Sequence, residues 1–151
     1  MRKVLVCLFC LLLLASVSYS SEEEILAPHK ASLSVYAGDH FGEVNVTIET
    51  SPDYRKVESI RMNVGGKNVS VPKAAFNDLR NPLLNSLEIR TEAGYGKHPW
   101  LYITFDVAHR EESGEWNPKK VYVAYHEGKI KHRSIKSKIS DTQWHWDKKD
   151  L

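Results

Sequence analysis

Three cations stand at every second position of one short run, Lys129, Lys131 and Arg133. Alternate side chains of an extended chain share a face about 7 Å apart, so such a run lines one wall with positive charge. Just before it, Glu127-Gly128 is a two-residue turn that folds the run back on residues 119–126. In that register Tyr125 opposes Ile130, Val123 opposes His132 and Val121 opposes Ser134, which keeps the apolar residues together. Lys120, Tyr122, Ala124 and His126 then join Lys129, Lys131 and Arg133 on the opposite, outward side. Two uses fit this face. It is an edge hairpin that lysines keep from pairing with foreign strands, or it docks an acidic partner, either a protein surface, an anionic polysaccharide or lipid head groups.

A second constellation is aromatic. Trp100, Trp116, Trp144 and Trp146 fall at loops, strand ends or outward positions, with Tyr95 and Tyr102 nearby. Trp144 and Trp146 point the same way in an extended segment. Indoles so placed either cap the open end of a core or bind, stacking on sugar faces or anchoring a protein interface.

Other chemistry is poorly supported. Seven histidines are a high share for this length, yet none pairs at the i, i+4 helical spacing with a glutamate between, and His126 and His132 point to opposite faces in the register above. No metal site and no cofactor are expected. Glu111, Glu112 and Glu115 crowd one polar loop, without a matching acid at a strand end of the kind a glycosidase needs. The sequence also lacks a Gly-x-Ser-x-Gly elbow, a phosphate-cradling glycine loop and a dinucleotide fingerprint. No catalytic residue is assigned, and an all-β hydrolase using loop acids and a histidine remains the weaker alternative.

The elements that would position these groups show a period of two. Leu33 and Val35, then Val44, Val46 and Ile48, alternate with polar residues as half-buried strands do. Gly65-Gly66 makes a hairpin with Met62 opposite Val69 and Ile60 opposite Val71. Residues 72–79 break the pattern as a short helical turn between Pro72 and Pro82. Leu101, Ile103, Phe105 and Val107 form the most apolar face and predict a central strand. Past the last hairpin the apolar phase moves from Ile130 to Ile135 and Ile139, which predicts a bulge near Ser134. About eight strands and one short helix indicate an all-β fold, an antiparallel sandwich or partly closed barrel.

The first 20 of the 151 residues read as a cleaved export signal. Arg2 and Lys3 precede 14 uncharged, leucine-rich residues, and Ser18 and Ser20 suit a small-x-small cleavage site. Fourteen residues cover about 21 Å of a roughly 30 Å hydrocarbon layer, so no membrane span is expected after cleavage. The remainder, residues 21–151, is expected to form one β-rich domain, periplasmic or secreted. Both cysteines, Cys7 and Cys10, lie in the leader, which leaves no disulfide and no thiol chemistry in the mature chain.

Losing Arg2 and Lys3 from 21 basic residues leaves 19, equal to the 19 acids. The charge is nonetheless polarised, with 10 basic and 15 acidic residues over 21–118 against 9 and 4 over 119–151. A zero net charge lacks the broad basic field of nucleic-acid binders, so nucleic acid is not an expected partner. Sequons at Asn45 and Asn68 place asparagine on the wet face and matter only in a eukaryotic secretory pathway. The reading that follows is an exported, non-enzymatic binding module for a macromolecular partner with an acidic surface, of inhibitor, immunity or adaptor type. The alternative is a glycan or anionic-polysaccharide binder.

Overall fold

The computed structural model describes residues 29–93, 98–110, 114, 116–138 and 143–151. The expected leader, Tyr95 and the loop acids Glu111, Glu112 and Glu115 lie outside these residues, as does the side chain of Trp116. Strands β1 (Lys30–Tyr36), β2 (Glu43–Thr50), β3 (Val57–Val64) and β4 (Lys67–Val69) form one sheet in chain order. Strands β5 (Pro82–Glu92), β6 (Trp100–Arg110), β7 (Trp116–His126), β8 (Lys129–Lys138) and β9 (Trp144–Asp150) form a second sheet, also in chain order. Every pairing is antiparallel. The two meanders pack face to face as an open sandwich rather than a barrel.

The alternation read from the sequence sets the core. Val44, Val46 and Ile48 of β2 face Leu101, Ile103 and Phe105 of β6 and Val121 and Val123 of β7 across one continuous cluster, and these eight residues are almost wholly shielded from water. The Gly65-Gly66 turn has φ of +55° and +81°, a left-handed pair that glycine adopts without strain, and it sets Met62 opposite Val69 as expected. Strand β4 ends at Val69, so Val71 has no place opposite Ile60. The expected short helix is a single 3-10 turn, Lys73–Ala75, after Pro72, and it drives Ala75, Phe76 and Leu79 into the core between the sheets. In β5 the ladder slips between Leu83 and Glu88. Ser86 patches the gap, its hydroxyl donating to the Leu83 carbonyl at 2.6 Å and accepting from the Asp106 amide at 2.7 Å.

The last hairpin departs from the expected register. Glu127 and Gly128 turn as predicted, with φ of +48° and +83°, and Tyr125 does oppose Ile130. Between Ala124 and Tyr125 the register then shifts, so that His132 faces Ala124, Arg133 faces Val123 and Ile135 faces Val121. The bulge takes up Lys131, three positions before the expected Ser134. Past it every side chain changes face. Arg133, expected on the outer wall, is therefore turned inward and is 2% exposed, with its guanidinium on the carboxylate of Asp78. His132, expected inside, goes out.

Candidate functional site

The two outer faces of the sandwich differ in kind. On the four-stranded sheet the ladder aligns Ser34, Asn45, Asn63 and Asn68 in one row and Ser32, Thr47 and Arg61 in the next. The hydroxyls and amides satisfy one another, with Ser32 and Thr47 hydroxyls 2.9 Å apart and the Asn63 amide donating to Asn68 at 3.0 Å, while Arg61 pairs with Glu49 at 2.6 Å. That surface is polar and self-paired.

The outer face of the five-stranded sheet carries rings. Successive rows run Glu92, Trp100, His126; then Arg90, Tyr102, Ala124, His132, Asp150; then Glu88, Thr104, Tyr122, Ser134, Lys148; then Asp106, Lys120, Lys136, Trp146. Trp100 stacks on His126 with centroids 4.2 Å apart and planes within 8°, and His132 lies 5.6 Å from the same indole. Tyr102 meets Tyr122 edge to face at 6.3 Å, and Tyr122 meets Trp146 at 5.2 Å. Thr104 and Ala124 face away from the four-stranded sheet, yet both are 0% exposed. The taller rings of the neighbouring strands close over these short side chains. A shallow groove of about 170 Å³ remains, lined by Glu92, Tyr102, Tyr122, His132, Ser134 and Trp146. Those six residues come from all five strands, so the groove lies across the sheet rather than along one strand.

Cations gather at the β8–β9 end and acids at the β5 end. Lys120 is already engaged, 3.5 Å from Asp106 and 4.0 Å from Glu88, and Arg90 lies 3.0 Å from Glu88. Lys131, in the bulge, reaches Glu127 at 3.3 Å. Lys148 is 3.3 Å from Asp150. Lys129 is exposed beside the turn. Lys136 instead lies over two indoles, 4.2 Å from the ring of Trp144 and 5.4 Å from that of Trp146.

Of the basic set, then, Lys120, Tyr122 and His126 share the outer face, Lys129 and Lys131 sit at its turn end, and Arg133 leaves it. Of the tryptophans, Trp100 and Trp146 meet the same ring cluster, and Trp144 joins it through Lys136. The sequence reading missed His132, Ser134, Lys136 and Glu92 as parts of this face. The move of apolar phase from Ile130 to Ile135 was the signal that could have found the first three.

Histidines also approach one another at one end, His40 to His98 at 6.1 Å and His98 to His126 at 6.3 Å between centroids. Among the described residues no three His, Cys, Asp or Glu side chains are arranged to hold a metal ion. His126 is fixed by its stacking on Trp100 and by Nδ1 at 3.2 Å from the Pro99 carbonyl, the contact of an Nδ1–H tautomer. Burial pushes the Tyr102 hydroxyl above its ordinary pKa, and the Glu92 carboxylate adds to this, so the phenol stays protonated as a donor in the groove.

Burial lowers the pKa of His132, and the Lys148 ammonium lowers it further against the weaker pull of Asp150. The folded chain thus holds this proton less tightly than the unfolded chain. Its share of stability is complete above the ordinary imidazole value of about 6.5 and is lost as the pH falls from there through the lowered native value. Thermal unfolding from pH 8 to 5 should show a steeper fall in Tm below about 6.5 for the wild type than for His132→Gln. Parallel curves would mean that His132 is not the group responsible.

Comparison with known protein families, with curated proteins and with solved structures finds no match to this chain.

Proposed function

We propose that this protein is an exported, non-enzymatic binding module whose site is the outer face of the five-stranded sheet and whose ligand is a glycan. The observation that carries the reading is the groove itself. The Trp146 indole stands in it beside two phenols, a serine hydroxyl, an imidazole and a carboxylate. A sugar ring has the matching duality, an apolar C–H face for an aromatic ring and hydroxyls for hydrogen bonds. At about 170 Å³ the groove is smaller than a typical drug-sized pocket of 300 Å³ or more, which suits one ring of a longer chain. Among the described residues Glu92 is its one lining carboxylate, whereas glycoside hydrolysis uses two across the bond. Export follows from the leader.

The acidic-protein reading loses most of its support once the cations are located. Arg133 is buried, and Lys120 and Lys131 already face carboxylates. Purified protein titrated with neutral and acidic oligosaccharides should show a change in tryptophan fluorescence with at least one of them. Trp146→Ala, at a residue 51% exposed, should weaken that response about tenfold with the circular dichroism unchanged. Capture of a stoichiometric protein partner through this face, with no response to any glycan, would reject the reading.

A further inference from the structure

Resting on the glycan reading, we propose that the ligand is a polyuronate and that Lys136 reads its carboxylate. Across the ladder Lys136 stands between Lys120 and Trp146. Two lysines directly opposed repel, and the repulsion is relieved unevenly. Lys120 turns to Asp106 and Glu88, while Lys136 turns to the faces of Trp144 and Trp146. Those ring faces hold the ammonium in place without cancelling its charge, and no carboxylate among the described residues forms an ion pair with it. Trp146 is at once a wall of the groove and one of the two rings under this ammonium. A sugar stacked at Trp146 therefore puts its exocyclic group beside a cation that the rings hold in place and that no described carboxylate pairs.

The rest of the face argues for one anion per ring rather than many. The cations nearest the groove, Arg90, Lys120 and Lys148, are each matched by an acid, and Glu92, for which no described cation forms an ion pair, leaves the β5 end negative. A densely sulfated chain would bring its charge against those carboxylates. A uronate chain can lie with a carboxylate at Lys136 and a hydroxyl-bearing edge toward Glu92, which accepts hydrogen bonds.

The test is binding, by calorimetry and tryptophan fluorescence, of polygalacturonate, alginate and hyaluronan oligosaccharides, each beside its carboxyl-methylated form. At least one acid form should bind about tenfold more tightly than its ester, the size of one charge-assisted contact, and added salt should erode that preference. Lys136→Met removes the ammonium but keeps an unbranched side chain beside the indoles, so it should bind acid and ester alike, with Tm unchanged. Equal binding of acid and ester by the wild type, a preference that survives in Lys136→Met, or tighter binding of dextran sulfate than of any uronate would each overturn the polyuronate assignment while glycan binding stands. Failure of every sugar, neutral or acidic, would instead overturn the glycan reading beneath it.

Discussion

Asp78→Ala is expected to lower the free energy of unfolding by about 2–3 kcal/mol, because it strands the guanidinium of Arg133 inside the sandwich. The Arg133 side chain is 3% exposed, and its charge is met by Asp78 from the segment that follows the 3-10 turn. Among the described residues its Nε has no hydrogen-bond partner, so Asp78 carries most of the compensation. Asp78 is itself 51% exposed, so water can partly replace it, which puts the cost at or below the lower end for a broken buried pair. Arg133→Met removes the charge together with its need for a partner and leaves a side chain that packs beside Val123 and Ile135. It should be close to neutral. Urea denaturation of both variants decides the matter, since a larger loss from Arg133→Met than from Asp78→Ala would mean that the pair itself is strongly stabilising. Burial raises the Asp78 pKa, but the hydrogen bond and charge of Arg133 outweigh it, so the native carboxyl lies below its usual range. The stability it contributes is present above about pH 4 and is lost as the pH falls through the lowered native value.

Ala124→Leu should both destabilise the fold by about 1–3 kcal/mol and abolish ligand binding. Ala124 lies between Tyr102 and His132 across the ladder and between Tyr122 and His126 along β7, and it is already fully covered. Three added carbons have nowhere to go except up into those rings, which must part, and three of them line or border the groove. Denaturation measures the first effect and fluorescence titration with the glycan that binds the wild type measures the second. Ala124→Ser, adding one oxygen, is the control that should retain binding. A leucine variant that bound normally would move the site away from this face.

How much of this was legible beforehand depended on whether the signal was local. The strand alternation of residues 44–48 and 101–107 is a local pattern, and the structure buries those residues as read. Gly65-Gly66 and Glu127-Gly128 are likewise local, because a two-residue turn with positive φ at both positions needs only its own sequence. The face of β8 was not. Its phase change was visible in Ile130 and Ile135, but a bulge at Lys131 and one at Ser134 satisfy that pattern equally well. They differ in whether Arg133 lies inside. An inward arginine reads as an error unless its carboxylate is known, and Asp78 lies 55 residues away along the chain.

The sequence by itself determined the strands, their turns and the apolar residues that unite two sheets, since backbone geometry and side-chain alternation act over a few residues. Only the tertiary structure decided which cations face water and that rings from separate strands close into one groove. The reason is that pairing Asp78 with Arg133 and stacking Trp100 on His126 are long-range contacts, and their energies select one register among several that the local pattern leaves nearly equal.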